Sequence, residues 1–265
     1  MKVALVSLDQ VWLDKSENFN RCQTIQADLS AHQDVDVVIW PEMTLTGFVV
    51  DQPDLAEEPD QSETIAKFRM LSHSTKTHQI FGYLAKEDQV TKNRLCHINP
   101  QFEDILSYDK IHTFSFAGED KHIAKGHQLQ STTIGDSCFG FATCYDLRFP
   151  EIFTAYRSYC HAVVVIASWP ASRVGHWLSL LRARAIENQC YLIGVNRVGK
   201  DGNGLRYEAS SVVFDPMGER VFPIAEGKTW QVVEIQAEKV VETRQRFPFE
   251  QDRDVRFYKE LYSHG

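Results

Sequence analysis

CFGFATCYDLRFPEIF, residues 138–153, reads as three pieces in immediate succession. Residues 138–143 are almost all apolar at successive positions, the composition of a strand covered on both faces. Cys144, Tyr145 and Asp146 make a turn. Pro150 then opens a helix, a favoured first-turn position because its missing N–H would have no helical partner there. Such a strand–turn–helix elbow exposes the Cys144 sulfur and points backbone amides at the same spot. Cys138 and Cys160 lack that setting and read as buried filler.

Working outward, short runs rich in β-branched residues recur at 3–8, 35–40, 79–84, 162–167, 191–195 and 211–214. They read as further strands. Helical spacing appears at 16–30, which opens on a Ser-x-x-Asn pattern, at 61–76 with Ile65, Phe68 and Leu71, and at 174–188 with Trp177, Leu178, Leu181, Ala185 and Ile186 on one stripe. Strands predominate, which favours a sandwich of sheets with outer helices over a simple doubly wound sheet. The glycines at 199–204 read as a hairpin turn. From Val241 onward no apolar period is evident, so the last 25 residues read as an extended tail that lies on its own domain or reaches a partner subunit.

The 265 residues, 43% hydrophobic and 24% charged, suit one large globular domain. The formal charge of −8, with no long basic cluster, disfavours nucleic-acid binding. No apolar run approaches the roughly 20 residues of a membrane span, and Asp9 interrupts the first apolar run too early for a secretory segment. A cytoplasmic protein is expected. Its six cysteines are scattered without a CxxC pair, so a disulfide framework is not expected. Ten dispersed histidines show no metal-ligand spacing, and no metal site is expected.

Two other segments place a chemically capable residue after an apolar strand. In VVIWPEMTLTGF (37–48) Glu42 follows a proline, which ends strand pairing and lets the carboxylate emerge at the sheet rim. In DILSYDKIHTFSFAGED (104–120) Lys110 follows a short strand among Tyr108, Phe114 and Phe116, with Glu119 a short loop later and His112 placed to orient the loop. Taken singly, a strand-end Glu is more often a cap or ion-pair partner, and a Lys is more often solvated. Beside a cysteine the pair acquires a purpose. A free thiol has a pKa of about 8.5, so it needs a base to take its proton or a cation to hold the thiolate.

WPE at 40–42, YDKIHTF at 108–114 and CYDLRFPE at 144–151 resemble the signatures of the nitrilase superfamily, the carbon–nitrogen hydrolases. SWPASR (168–173), the 176–199 segment and SSVVFDPMGE (210–219) resemble its second half, so the likeness runs from Val3 to about Phe257. Each motif alone is weak; all of them in order are specific. The resemblance implies an α/β fold, a four-layer αββα sandwich. It implies a triad of Glu42, Lys110 and Cys144, with Glu119 as a second glutamate that positions substrate. It also implies a homodimer or higher homo-oligomer across the face carrying residues 150–159, with the 241–265 tail packed at that interface.

Within the superfamily the chain looks most like the short amidases that act on ω-amides of small dicarboxylates, such as 2-oxoglutaramate or 2-oxosuccinamate. The resemblance places Trp169 on the pocket wall and Arg173 against a substrate carboxylate; the Tyr145 N–H reads as an oxyanion donor and Phe116 as a ring along the pocket. For Arg173 a surface or interface ion pair is equally compatible with the sequence, and for Phe116 so is core packing. Arg148 reads as support for the elbow. No cofactor is needed for thiol acyl transfer. The competing readings are another amidase of the superfamily, of the deaminated-glutathione or N-carbamoyl type, a true nitrilase, which often carries Trp where this chain has Tyr145, and a non-catalytic metabolite-binding member.

Overall fold

The computed structural model describes residues 1–101 and 105–263. Asp104, at the head of the lysine segment, and the last two residues of the tail lie outside them. In chain order the elements are β1 (Lys2–Val6), α1 (Lys15–His32), β2 (Val37–Ile39), α2 (Glu63–Thr75), β3 (His78–Glu87), β4 (Val90–Ile98), β5 (Ile105–Asp109) and α3 (Glu119–His122). The second half holds β6 (Ser131–Ile134), β7 (Ser137–Thr143), α4 (Pro150–Tyr156), β8 (Ala162–Ala167), α5 (Val174–Asn188), β9 (Tyr191–Asn196), β10 (Gly199–Lys200) and β11 (Arg206–Tyr207). It ends with β12 (Val212–Phe214), β13 (Arg220–Val221), β14 (Ala225–Glu226), β15 (Trp230–Glu234), α6 (Ala237–Arg246) and α7 (Val255–Ser263).

Two sheets result. One has the order β14-β15-β1-β2-β3-β4-β5 and the other β13-β12-β9-β8-β7-β6; β10 and β11 form a separate hairpin. Each sheet is built around three adjacent parallel strands, β1-β2-β3 and β7-β8-β9, with antiparallel strands added on both sides. Helices supply the crossovers that parallel neighbours require: α1 and α2 in the first sheet, α4 and α5 in the second.

Alternation along the strands then fixes the layers. Val3, Leu5, Val37, Ile39 and Ile80 point inward and meet Phe139, Phe141, Val164, Ile166 and Ile193 of the other sheet. Ala4, Val6, Val38 and Phe81 point outward against Phe19, Cys22 and Leu29 of α1 and Ile65, Phe68 and Leu71 of α2. Val163, Val165 and Leu192 point outward against Ile152, Phe153 and Tyr156 of α4 and Trp177, Leu181 and Ala185 of α5. This is a four-layer αββα sandwich. It explains why the central strands are apolar at successive positions: each faces a sheet on one side and helices on the other.

Three expectations need correction. The cap of α1 is Asp14, whose carboxylate accepts from the Glu17 N–H at 2.9 Å; Ser16 lies inside the helix. Nothing in the sequence reading marked β4, because its first half, VTKN, is polar. The tail is not extended but forms α6 and α7. The period of α6 begins before Val241: Ala237, Val240 and Thr243 are buried at three-residue spacing. α6 covers its own domain, with Arg244 Nη2 donating to the Cys160 carbonyl at 2.8 Å. No helix among the described residues is long and apolar enough to cross a membrane.

Candidate active site

Glu42 leaves the first sheet just beyond β2. Trp40 N–H still donates to the Ile80 carbonyl, and Thr44 N–H resumes with the Gly82 carbonyl, both at 2.8 Å, so residues 41–43 bulge out between them. Met43 takes a left-handed φ of 44° there, a conformation disfavoured for a long side chain. The Gln10 side-chain amide pins the bulge by donating to the carbonyls of Glu42, Met43 and Thr44 at 2.9–3.1 Å. Gly82 makes the close approach possible: a Cβ on it would lie 2.7 Å from the Met43 nitrogen.

Lys110 follows β5, its backbone held by Asn93 and Gly126. Its ammonium is buried and lies 3.1 Å from Glu42 Oε1 and 2.8 Å from Glu119 Oε2. Glu119 opens α3 after Gly118, whose φ of 75° turns the chain back. Its Oε2 also accepts from the Phe114 N–H at 2.6 Å, which ties the loop closed. Burial works against the Lys110 charge, but the Glu119 and Glu42 carboxylates outweigh it and raise its pKa. The group stays an ammonium throughout the neutral range.

Cys144 follows β7 directly, with a φ of 47°, a strained value for a residue with a Cβ. Buried Asp146 holds this elbow to the lysine loop. It accepts from Thr143 N–H at 3.0 Å, Tyr108 Oη–H at 2.7 Å and His112 N–H at 2.8 Å, and its Oδ1 lies 2.9 Å from His112 Nδ1. The His112 ring stacks on Phe149, centroids 3.7 Å apart. From above, Tyr156 Oη donates to the Phe141 carbonyl at 2.8 Å. Burial raises the Cys144 pKa and the Glu42 charge adds to it, while the Lys110 charge lowers it; the net direction is up. The resting thiol is therefore protonated.

Ser168, at the end of β8, joins the groups. Its N–H donates to Glu42 Oε2 at 2.9 Å, and its carbonyl receives a long contact from Cys144 Sγ at 4.0 Å. Asn93 on β4 joins the carboxylates: its Nδ2 donates to Glu42 Oε1 at 2.8 Å and to Glu119 Oε1 at 3.0 Å. Glu42, Glu119 and Lys110 thus form one buried cluster beside the thiol. Side chains at the C-terminal ends of the parallel strands β2, β7 and β8 converge there, where ligand crevices of α/β sheets commonly lie.

A cavity of about 70 Å³ opens above Lys110 and Cys144, walled by Phe48, Phe114, Tyr145, Trp169 and Tyr207 with Arg148 and Arg173. That is far smaller than the roughly 300–1,000 Å³ of drug-sized ligand pockets. Tyr145 and Trp169 line it, and Trp169 Nε1 donates to the Arg173 carbonyl at 2.8 Å. Phe116 does not line it. Phe116 is 88% exposed, because the turn at 115–117 points its side chain outward and places Phe114 and Ala117 at the wall instead. Arg148, read from sequence as support for the elbow, faces the cavity. Asn93, Ser168, Phe48 and Tyr207 were not singled out; Asn93 sits between Lys92 and Arg94 in the polar half of β4, where nothing local marks it.

A carbon-nitrogen hydrolase family model matches residues 2–245. The omega-amidase YafV of Yersinia enterocolitica is 35% identical over 96% of this chain and 97% of its own. The 2-oxoglutaramate amidase of Bacillus subtilis is 26% identical over 98% of both chains. A crystal structure of a CN-hydrolase superfamily protein from Xanthomonas campestris, carrying an arsenic adduct in its active site, superposes with a TM-score of 0.89 at 31% identity, covering 96% of this chain and 97% of the other. With its four-layer sandwich and near-complete match, the chain belongs to the carbon-nitrogen hydrolase family and is an amidase of the nitrilase superfamily.

Proposed function

We propose that the protein hydrolyses the ω-amide of a small dicarboxylate, such as 2-oxoglutaramate or 2-oxosuccinamate, through a thioester on Cys144. The observation that carries this reading is a thiol on a strained elbow, beside a buried Glu42–Lys110–Glu119 cluster, under a small pocket with two arginines in its wall. The identity to omega-amidase relatives supports the substrate class.

Because burial keeps Cys144 protonated, the thiol needs a base at the moment of attack. Glu42 takes the proton as sulfur bonds to the amide carbonyl. The oxygen that becomes negative is held by the Lys110 ammonium and the Tyr145 N–H; one such donor contributes roughly 3 kcal/mol. Glu42 returns the proton to the departing nitrogen, the carbon–nitrogen bond breaks, and ammonia leaves. Glu42 then draws a proton from water, which attacks the thioester and frees the acid and the thiol. Glu119 holds Lys110 and closes the loop that carries the aromatic wall.

Six cysteines scattered through the chain without a CxxC pair support a reducing, cytoplasmic setting. The apolar side chains left exposed on α7, Val255, Phe257 and Leu261, support pairing with a second copy, which sedimentation equilibrium tests; a monomer at micromolar concentration removes that part. For the reaction, rapid quench and mass spectrometry with 2-oxoglutaramate should trap an acyl adduct on Cys144. Full turnover in Cys144→Ala defeats the mechanism.

A further inference from the structure

Cys138 and Cys160, read from sequence as buried filler, bring their sulfurs to 3.6 Å of each other. They stand at the two ends of the elbow segment, Cys138 at the second position of β7 and Cys160 just beyond α4. The Cys144 turn lies between them. Cys160 is fully buried, whereas Cys138 is partly exposed.

The backbone enforces the contact. Cys138 N–H donates to His161 Nδ1 at 3.0 Å, and His161 N–H donates to the Cys138 carbonyl at 2.8 Å. Burial, then the Arg244 charge, lowers the His161 pKa, which keeps the ring neutral and Nδ1 able to accept. On the other side Cys160 N–H donates to the Tyr156 carbonyl at 2.9 Å, and the Cys160 carbonyl accepts from Arg244 Nη2 at 2.8 Å. With both main chains pinned, the sulfurs stay in contact. A disulfide needs about 2.05 Å between sulfurs, a closure that rotation of the two side chains can supply. A reducing compartment favours no permanent framework, but disulfides that do form there are usually transient and redox-sensing.

We propose that Cys138 and Cys160 are a modification site, a reversible disulfide formed by peroxide that staples the elbow segment. Hydrogen peroxide reaches the partly exposed Cys138 first. Its sulfur bonds to one peroxide oxygen, the O–O bond breaks and water leaves, giving a sulfenic acid. The Cys160 sulfur then attacks that sulfur. The S–O bond breaks, and the hydroxyl departs with the Cys160 proton as a second water. Two thiols have given two electrons to one peroxide. The link closes a loop around β7, Cys144 and α4, where α4 already presses on β7: a Cβ on Gly140 would lie 2.7 Å from the Tyr156 ring. This role is independent of the substrate proposed above.

The test treats the reduced full-length protein with hydrogen peroxide and maps cross-links by mass spectrometry of unreduced digests. A Cys138–Cys160 link should form, and dithiothreitol should reverse it. The melting temperature of the oxidised protein should rise by roughly 3–10 °C, the scale of closing such a loop in the unfolded chain. The same rise in Cys144→Ala shows that the active-site thiol does not contribute. In Cys160→Ser, dimedone should trap a sulfenic acid on Cys138; in Cys138→Ser it should leave Cys160 unlabelled. No cross-link, a Cys160–Cys190 link in its place, or a Cys138–Cys160 link without a higher melting temperature overturns the staple. The wild-type digest and melt decide this even where a serine variant fails to fold.

Discussion

The backbone N–H of Ser168 donates to Glu42 Oε2 at 2.9 Å. The acceptor hangs from the first sheet and the donor ends a strand of the second, so this carboxylate is fixed only when the two sheets are docked. Its other oxygen accepts from Asn93 and Lys110. Every contact is with a donor, and a neutral amide cannot satisfy both ends. In Glu42→Gln the new NH2 meets either Ser168 N–H or the Lys110–Asn93 side. Ammonia release should fall by about 10²–10⁴-fold, the span for a lost general base. Circular dichroism should show a folded chain, and a variant within threefold of wild type contradicts the role given to Glu42.

Asn93 bridges two carboxylates with one amide group. Hydrogen bonds to charged groups contribute about 1.5–3 kcal/mol, so Asn93→Ala should lower kcat roughly 10- to 100-fold. Asn93→Asp should do worse than Ala, since it sets a third carboxylate against the other two. Comparing kcat for the two variants decides it; equal activity of Asp and Asn removes the bridging role.

Gly82 has no room for a methyl group. In Gly82→Ala the added carbon would meet the Met43 nitrogen at 2.7 Å and the Glu42 Cα at 3.2 Å. Overpacking costs about 1–3 kcal/mol, and pushing Glu42 outward by even part of an ångström should lower kcat on the order of 10²-fold. Gly175→Ala, where nothing lies within 4 Å, should be neutral in both. Thermal melts and kinetics on the two variants check the contrast.

Stability should fall in acid, far from the active site. His97 is buried between the sheets, its Nε2 2.9 Å from His78 Nδ1. Burial, then the charge of His78, lowers its pKa to about 3. Burial likewise lowers that of His78, against the pull of Asp36. A base with a depressed folded pKa takes up its proton more readily when unfolded. Stability is therefore complete above the unfolded value near 6.5 and drains away as pH falls toward 3, at up to about 1.4 kcal/mol per pH unit for His97 alone. Urea midpoints at pH 7, 5 and 4 should drop steeply in wild type and less steeply in His97→Gln.

How much of this was legible follows from how each residue announces itself. Glu42, Lys110 and Cys144 each stand just past an apolar strand, and that local pattern, with the motif resemblance, put them together. A sandwich of sheets with outer helices followed from the predominance of strands, and the four layers from the motif resemblance. Asn93 escaped because its strand begins with polar residues and its partners are distant in sequence. Phe114 and Phe116 are two residues apart in a turn, and spacing alone cannot say which ring faces inward. Arg148 faces the cavity, and which way a side chain on the elbow turn points is visible only in three dimensions. The tail helix α6 was hidden because its period starts at Ala237, ahead of the stretch read as a tail.

The division of labour between the sheets has a practical side. Were the chain opened at residues 127–130, ahead of β6, one fragment would keep Glu42, Asn93, Lys110 and Glu119 and the other Cys144 and Ser168. Neither piece would own both the proposed nucleophile and its proposed base. Released ammonia would then count reassociated molecules directly, making the enzyme a built-in complementation reporter for whatever is fused to the two cut ends.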